Sequence, residues 1–338
     1  MTAQSLAAIA QAMVAPGKGI LAADESSGTI KKRFDSIKLE STADSRRAYR
    51  DMLFTTPGVS EFISGVILFD ETLRQSTLSG VPIPKYLAQQ GMIPGIKVDA
   101  GAKALAGFPG ETVTEGLDGL RERLKEYGGL GAKFAKWRAV ITIGKDLPSD
   151  FCLVANAHAL ARYAALCQEA GIVPIVEPEV LMDGDHTIAR CAEVTAAALE
   201  HTFRQLQAHR VDLAGMVLKP NMVVPGQDCK QQASVREVAE ATLKCLKAMV
   251  PASVPGIAFL SGGQSPEEST VHLGAMNTLG ALPWQLTFSY GRALQAPSLK
   301  AWGGKPEGAK SGQAALLKRA RLNGQAHAGK YQPDMEAA

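Results

Sequence analysis

The chain has 338 residues, of which 46% are hydrophobic and 20% are charged, so it has enough apolar material for one large or two ordinary globular domains. Its 36 lysines and arginines exceed its 33 aspartates and glutamates by 36 − 33 = 3. This excess is too small to indicate a nucleic-acid or membrane partner.

The cysteines and the first residues favour a cytoplasmic location. The five cysteines are odd in number and show no CxxC spacing, which fits a reducing compartment better than a disulfide framework. Residues 1–14 are apolar but lack the basic start of a signal peptide, so we expect an amphipathic helix there. Because no run of about 18 apolar residues occurs, we expect no transmembrane helix.

A pattern recurs along the chain: a short apolar run, a polar or charged residue at its end, and then a stretch of helical character. The runs are separated by roughly 25 to 45 residues, which leaves room for the helix that joins two parallel strands. Helical periodicity is clear in residues 155–170 and 188–209. The predicted strands are 19–23, 65–69, 93–98, 132–137, 172–176, 216–218, 257–260 and 284–288.

Eight strands with helical spacers predict an α/β protein built as a single (β/α)8 TIM barrel with an N-terminal helix. An open, doubly wound sheet is the alternative topology, which periodicity alone separates poorly from a barrel. Neither GxGxxG nor GxxxxGK[ST] follows the first strand, which disfavours the Rossmann and P-loop forms of that sheet. We therefore predict one domain over residues 1–338.

The C-terminal segment, residues 303–338, differs from the repeating pattern. Residues 311–321 have helical character, and the Gly- and Ala-rich remainder is expected to be a mobile tail. Lys318, Arg319 and Arg321 lie near the end of this helix. We interpret them as favourable charges at a helix C-terminus rather than as an anion site.

Charged and polar residues collect at the C-terminal ends of the predicted strands, where TIM barrels carry their active sites. Three pairs are spaced i, i+2, so both side chains of a pair point to the same face of a strand. A single pair is compatible with a structural ion pair, but charged residues on five strands around one mouth indicate a functional site. The strand-end residues are Asp24, Glu25 and Ser26; Lys97 and Asp99; Lys136 and Arg138; Glu177 and Glu179; Lys219; Ser261, Gly262 and Gly263; and Ser289, Tyr290, Gly291 and Arg292.

Lys219, at the end of a short apolar run, is the most informative of these residues. Burying an ammonium without a partner costs several kcal/mol, and a nearby cation such as Lys136 further favours the neutral amine. A neutral amine attacks a ketone to form a Schiff base, an electron sink that requires no metal. Glu177 or Glu179 can move the protons of carbinolamine dehydration, and Asp24 is a candidate base for carbon–carbon cleavage.

Two glycine-containing turns predict phosphate binding at strands seven and eight, the usual phosphate position in TIM barrels. Ser261 and Gly262 offer a hydroxyl and backbone N–H groups, and Arg292 follows a similar turn at Gly291. Together with Lys219, these features suit the reversible cleavage of a phosphorylated ketose.

The histidines give no metal signature. The six of them show no HxH or HExxH spacing, and only His186 lies near the mouth, where we interpret it as a loop residue. We therefore predict no metal site and no cofactor.

Seven motifs follow one another along the chain: GKGILAADES (17–26), GIKVD (95–99), FAKWR (134–138), VEPE (176–179), LKPNM (218–222), FLSGGQ (259–264) and SYGR (289–292). In order and spacing they resemble class I fructose-bisphosphate aldolase, from about residue 5 to about residue 332. The resemblance implies a (β/α)8 barrel and a homotetramer. It also implies cleavage of fructose 1,6-bisphosphate to dihydroxyacetone phosphate and glyceraldehyde 3-phosphate, in glycolysis and gluconeogenesis.

The resemblance further implies catalytic roles for matching residues. Lys219 matches the Schiff-base lysine, Glu177 the general acid/base of dehydration, and Asp24 the base for the C4 hydroxyl. Lys136 matches the lysine beside them, and the surrounding charge network is matched by Glu179 and Arg138.

Two sets of residues match the phosphate contacts of the family. The pocket for the C1 phosphate is matched by Ser261, Gly262, Gly291 and Arg292. The contacts near the C6 phosphate are matched by Ser26, Arg33 and Lys97, with Thr29 where many relatives have serine.

The C-terminus departs from the pattern. Vertebrate-type relatives end in a tyrosine on a mobile tail that protonates the enamine, whereas this chain ends in DMEAA, and Tyr331 does not match that residue. Either another group delivers the proton, or turnover of fructose bisphosphate is reduced. Two other functions stay open: cleavage of a longer bisphosphorylated ketose or of a monophosphate, and noncatalytic phosphate binding, which leaves Lys219 unexplained.

Overall fold

The computed structural model describes residues 5–337 of the chain. The strands within these residues are β1 (Gly19–Ala23), β2 (Ile63–Leu68), β3 (Ile93–Lys97), β4 (Ala102–Ala104), β5 (Thr112–Thr114), β6 (Phe134–Ile141), β7 (Val173–Val180), β8 (Val217–Leu218), β9 (Gly256–Phe259) and β10 (Gln285–Tyr290). The α-helices are α1 (Leu6–Met13), α2 (Ser27–Asp35), α3 (Ala43–Phe54), α4 (Asp70–Leu73), α5 (Ile83–Gln89), α6 (Leu120–Gly129), α7 (Asp150–Glu169), α8 (Ile188–Ala208), α9 (Val235–Met249), α10 (Pro266–Thr278), α11 (Arg292–Trp302) and α12 (Ala309–His327). Short 3-10 turns lie at Val59–Glu61, Leu213–Gly215, Pro306–Gly308 and Pro333–Glu336.

Eight of these strands close into a parallel barrel in the order β1-β10-β9-β8-β7-β6-β3-β2. β4 and β5 form a separate antiparallel hairpin in the connection between β3 and β6. Helices connect the successive barrel strands on the outside, as parallel crossovers require. The predicted (β/α)8 barrel is therefore confirmed, and the open sheet is wrong.

Two strand glycines leave room for aromatic rings on the two faces of the barrel. A Cβ atom on Gly95 would lie 2.2 Å from the ring of Phe134, and one on Gly19 would lie 2.6 Å from the ring of Phe288. Phe134 belongs to the cluster inside the barrel, and Phe288 to the cluster between the barrel and its helices. Because both layers are closely packed, these glycines in β3 and β1 are required by the neighbouring rings.

The N-terminal helix closes one end of the barrel. In α1, Ile9 and Met13 belong to the same buried cluster as Phe134 and Val173, which begin β6 and β7. The helix was predicted over residues 1–14, of which 1–4 lie outside the described residues. Because α1 covers the N-terminal end of the barrel, the C-terminal strand ends are left to form the site.

Among residues 5–337, none of the helices combines the length and apolarity that crossing a membrane requires.

Three strands extend beyond their predicted ends: β10 by two residues, and β6 and β7 by four. Residues 132–137 and 172–176 were predicted, but β6 and β7 pair along eight residues, from Phe134 with Val173 to Ile141 with Val180. The apolar runs end earlier than the strands because charged side chains that face the mouth follow them. Arg138, Glu177 and Glu179 therefore lie within these strands rather than after them.

The residues after α12 are attached to the barrel rather than free. The helix predicted over 311–321 extends to His327, and the segment that follows ends in the 3-10 turn Pro333–Glu336. Tyr331 donates its hydroxyl to Glu336 Oε1 at 3.0 Å. Residues 328–337 were expected to form a mobile tail, whereas the structure shows them in contact with one another and with the rest of the chain.

Arg319 accounts for this attachment. Its guanidinium is buried and donates to both carboxylate oxygens of Glu336 at 2.6 Å, and Lys318 donates to the Glu336 carbonyl at 2.6 Å. Arg319 also donates to the Pro266 carbonyl in α10 at 2.6 Å. Its interpretation as a favourable charge at a helix C-terminus is therefore wrong, because α12 continues to His327 and Arg319 is buried within it.

We expect Glu336→Gln to lower the free energy of unfolding by about 1–3 kcal/mol, because it weakens charge-assisted hydrogen bonds to a buried guanidinium. Thermal or denaturant unfolding measures the change. Asp334→Asn is the matched control, since Asp334 lies in the same turn but is exposed. Equal stability of the two variants would show that the Arg319–Glu336 pair does not hold the tail.

Candidate active site

A cavity of about 440 Å³ opens at the C-terminal end of the barrel. Its walls come from residues at or near the ends of β1, β3, β6, β7, β8, β9 and β10, together with α2. The structure places all the predicted site residues around it: Asp24, Ser26, Arg33, Lys97, Lys136, Arg138, Glu177, Glu179, Lys219, Ser261, Gly262, Gly291 and Arg292. The lining also contains Thr29, which was named beside the C6 phosphate contacts, and Glu25, Asp99 and Ser289, which were placed at the mouth without an assigned role. Val140 and Leu260 line it as well, although they were not singled out.

Lys219 lies deep in this cavity, directly after the short strand β8. Its backbone N–H donates to the Val176 carbonyl at 2.8 Å, which continues the pairing with β7. The side chain is only 5% exposed, and its Nζ lies 3.2 Å from Glu177 Oε1. At this distance an ammonium can transfer a proton to the carboxylate and become the neutral amine.

Lys136, on β6, carries a positive charge among three carboxylates. Its Nζ lies 2.8 Å from Asp24 Oδ2 and 3.7 Å from both Asp99 Oδ2 and Glu177 Oε2. Burial favours loss of the proton, but the charges of Asp24, Asp99 and Glu177 outweigh it and hold the pKa of Lys136 above its ordinary range. Lys136 is therefore a cation, and its charge is offset by its partners.

Asp24 is the counterpart of this cation at the end of β1. Burial raises the pKa of its carboxyl, but the nearby ammonium groups of Lys136 and Lys219 hold that pKa below its ordinary range. Asp24 is therefore ionised wherever the protein is folded at ordinary pH. An ionised carboxylate is the form that a base requires.

Asp99 links the neighbouring strands β3 and β6 at the mouth. Its Oδ1 lies 2.9 Å from Lys97 Nζ, and its Oδ2 accepts from the Arg138 backbone N–H at 3.3 Å as well as facing Lys136. Its i, i+2 spacing from Lys97 was the sequence signal for this position. Asp99 thus holds two of the cavity's lysines, although it was not assigned a role.

Arg138 and Glu179 form an ion pair at the rim. The Nε of Arg138 donates to Glu179 Oε2, and Glu179 is nearly buried whereas Arg138 is partly exposed. Burial lowers the pKa of Arg138, but Glu179 outweighs it and raises that pKa above its ordinary value. The pair points the Arg138 charge toward the opening of the cavity.

The two glycine turns contact each other. Arg292 Nη2 donates to the Gly262 carbonyl at 2.6 Å, and Gly262 adopts a φ of 56°, which glycine accepts without strain. Helix α11 begins at Arg292, and its N-cap Gly291 provides no side-chain cap. The N-terminus of α11 thus lies at the cavity, where the sequence predicts a phosphate position, and Gly291 has no side chain that could compete with an anion for its N–H groups.

Helix α2 supplies the neighbouring wall, since it follows β1, which pairs with β10. The hydroxyl groups of its N-cap Ser26 and of Thr29 are hydrogen-bonded to each other, with their oxygens 3.1 Å apart, and both side chains line the cavity. Arg33, one turn further along α2, was grouped with Ser26 and Lys97. The structure places its Nη2 3.6 Å from where a Cβ on Gly291 would lie, beside the other phosphate set.

Two residues considered for chemistry lie elsewhere. Tyr331 is absent from the cavity lining, and burial together with Glu336 raises the pKa of its hydroxyl to about 12. His186 is buried outside the lining, in the connection between β7 and α8. Within residues 5–337 there is no group of three or more His, Cys, Asp or Glu side chains arranged to hold a metal ion.

The comparisons with known proteins decide the family. The family model "Fructose-bisphosphate aldolase class-I" matches residues 5–338. The chain belongs to the class I fructose-bisphosphate aldolase family. The resemblance inferred from the seven motifs is therefore confirmed, and with it the expected activity: the enzyme is a lyase that cleaves fructose 1,6-bisphosphate reversibly.

Relatives in three groups of organisms support the assignment. The chain is 61% identical over 333 residues to a "Probable fructose-bisphosphate aldolase class 1" of Xanthomonas campestris, covering 98% of this chain and 99% of the relative. It is 54% identical to "Fructose-bisphosphate aldolase 4, cytosolic" of Arabidopsis thaliana, covering 95% and 82%. A solved structure of fructose-bisphosphate aldolase from Plasmodium falciparum, "in complex with TRAP and a small molecule inhibitor", superposes with a TM-score of 0.96 at 51% identity, covering 97% and 95%.

Proposed function

We propose that this aldolase acts through a Schiff base on Lys219. The observation that carries the proposal is the contact of 3.2 Å between Lys219 Nζ and Glu177 Oε1, at the bottom of a cavity whose walls carry further cations. Glu177 accepts the proton of the ammonium, and the neutral amine attacks the C2 carbonyl of the sugar. Glu177 then returns a proton to the departing hydroxyl, which leaves as water and gives the iminium ion.

Asp24 is proposed as the base of the cleavage step. It removes the proton of the C4 hydroxyl, the C3–C4 bond breaks, and glyceraldehyde 3-phosphate leaves as an aldehyde. The bonding electrons pass to the iminium nitrogen and give an enamine. Lys136, 2.8 Å from Asp24, keeps the carboxylate ionised until the substrate hydroxyl arrives.

Protonation of the enamine completes the cycle. Its C3 carbon must receive a proton before water releases dihydroxyacetone phosphate from Lys219. Tyr331 is engaged with Glu336 and lies outside the cavity lining, which supports delivery of this proton by a group within the cavity.

The sugar phosphates are proposed to bind at the helix N-termini and cations of the two walls. The C1 phosphate is proposed to bind at Ser261, Gly262, Gly291 and Arg292, and the C6 phosphate at Ser26 and Lys97. Arg33, which was grouped with the C6 contacts, lies next to Gly291. Two phosphate positions favour a bisphosphate over a monophosphate. Comparison of kcat/KM for fructose 1,6-bisphosphate and fructose 1-phosphate separates these substrates.

We expect Arg292→Met to raise KM for fructose 1,6-bisphosphate by about 10- to 100-fold, because it removes a charge-assisted hydrogen bond to phosphate and the contact that holds Gly262. Steady-state kinetics measures the change. Arg292→Lys keeps the charge but not the planar fork, so an intermediate KM is expected. An unchanged KM in Arg292→Met would remove Arg292 from the phosphate site.

We also propose that the enzyme is a cytoplasmic homotetramer with one domain over residues 1–338 and without a metal, cofactor, nucleic-acid or membrane partner. The small net charge and the "cytosolic" name of the Arabidopsis relative support the location. Light scattering of the purified protein tests the assembly.

A coupled assay tests the proposed function. Cleavage of fructose 1,6-bisphosphate is followed with and without EDTA, and after borohydride treatment in the presence or absence of dihydroxyacetone phosphate. We expect activity that EDTA leaves unchanged and that borohydride destroys only when the ketone is present. Loss of activity with EDTA, or no loss with borohydride, would contradict the Schiff-base mechanism.

A further inference from the structure

A buried ion cluster extends from the cavity wall to α3 behind it, and of its members only Arg33 has a role in the proposed function. Its centre is Glu25, whose side chain is 4% exposed and lines the cavity. Arg33, which also lines the cavity, pairs with Glu25 Oε1 from the front. Arg50, from α3 and 3% exposed, places its Nη2 2.5 Å from Glu25 Oε2 from behind. Arg50 itself does not line the cavity.

Neighbouring side chains fix this cluster in place. Gln295, on α11, donates from Nε2 to Glu25 Oε1 at 2.8 Å and to the Ala22 carbonyl at 2.6 Å. The Tyr49 hydroxyl donates to Gln295 Oε1 at 3.0 Å, and the Arg50 guanidinium lies 5.7 Å from the centre of the Tyr49 ring. Glu25 is therefore held by groups from three elements and not by Arg33 alone.

The charges of the cluster have a consequence for the cavity. A carboxylate in a cavity that receives phosphate groups repels them and attracts the nearest cation. One arginine neutralises Glu25, so the second leaves a surplus positive charge, and Arg33 is the member of the pair that faces the cavity. Glu25 engages Nη1 of Arg33, while Nη2 lies toward Gly291 in the proposed phosphate set.

We propose that Arg50 is a positioning residue for phosphate binding: it neutralises Glu25 from behind, and thereby leaves the Arg33 guanidinium available to a phosphate group of the sugar. This inference rests on the proposed role of Arg33 in the substrate site. Without Arg50, Glu25 holds Arg33 as its only counter-ion, and the phosphate has to compete with a buried carboxylate for the same donors.

Arg50→Met tests the proposal, since methionine fills much of the same buried space without a charge. We expect KM for fructose 1,6-bisphosphate to rise roughly tenfold, with kcat changed by less than about twofold, because ground-state and transition-state binding of the phosphate are weakened alike. In the triple variant Glu25→Gln/Arg33→Met/Arg50→Met, which leaves no unpaired buried carboxylate, KM is expected to equal that of Arg33→Met. Equal values show that Arg50 acts through Arg33.

A charge-balanced variant separates positioning from packing. Glu25→Gln/Arg50→Met removes both the buried carboxylate and its partner, so Arg33 is free again and KM is expected within about threefold of the wild type. If Arg50→Met alone does not fold, KM is measured instead for this double variant and for Arg50→Lys. A tenfold higher KM in the charge-balanced variant would overturn the proposal in either case.

The remaining outcomes are also decisive. An unchanged KM in folded Arg50→Met, or a KM of the triple variant well above that of Arg33→Met, would overturn the proposal. Borohydride trapping with saturating dihydroxyacetone phosphate is expected to label Arg50→Met as fully as the wild type. Absence of labelling in the wild type would instead contradict the proposed Schiff-base function, so the two failures are distinguishable.

Discussion

Lys219→Met is expected to lower kcat/KM for fructose 1,6-bisphosphate by about 10⁵-fold, because the substitution removes the nucleophile on which every later step depends. Steady-state cleavage measured through a coupled dehydrogenase gives the ratio. Methionine keeps the length and much of the volume of the side chain, so the variant is expected to fold, and its thermal unfolding is the check.

Lys97→Met is the matched control for this variant. Lys97 is another cavity lysine, with its Nζ 2.9 Å from Asp99 Oδ1, and it is proposed to contact phosphate rather than to form the imine. We expect a raised KM and retained Schiff-base trapping. If Lys219→Met keeps more than about 1% of wild-type activity, or if Lys97→Met loses trapping, the wrong lysine has been assigned.

Lys136→Met is expected to have the second largest effect. At pH 7 we expect kcat/KM to fall by about 10²- to 10⁴-fold, the usual contribution of a positioned base. Burial raises the pKa of Asp24, and Lys136 is the first of the nearby lysines that lower it, so removing Lys136 moves that pKa upward. The acid limb of the pH profile of kcat/KM is therefore expected at higher pH than in the wild type.

Lys136→Arg separates charge from size. It keeps a cation beside Asp24, so the acid limb is expected to stay near its wild-type position even if the rate falls. Lys136→Met also leaves three carboxylates without this cation, and its thermal unfolding must be measured alongside. A rate that drops in equal proportion at every pH would show that Lys136 does not act through the ionisation of Asp24.

The barrel and its mouth were predictable because both leave local signals. Apolar runs with helical spacers predict the strands, and charges at i, i+2 identify the side chains that share a face. The boundaries of β6 and β7 were missed because the apolar signal ends at Trp137 and Val176, whereas backbone pairing continues to Ile141 and Val180. Charges that face a polar mouth do not look like strand residues in the sequence.

The residues behind the cavity were not predictable, because their roles depend on contacts between distant parts of the chain. Arg50 and Gln295 come from α3 and α11, and each appears in the sequence as an ordinary polar residue of a helix. Only the fold brings them to Glu25. The same reason explains Arg319, whose partner Glu336 lies beyond the end of its helix.

The lysine that forms the imine is identified most directly by trapping the reaction with borohydride and mapping the modified peptide by mass spectrometry. Incubation with dihydroxyacetone phosphate is predicted to add one reduced triose phosphate to Lys219, and none to Lys97 or Lys136. Recovery of an unmodified Lys219 peptide, or of the label on either of the other two lysines, would contradict the account.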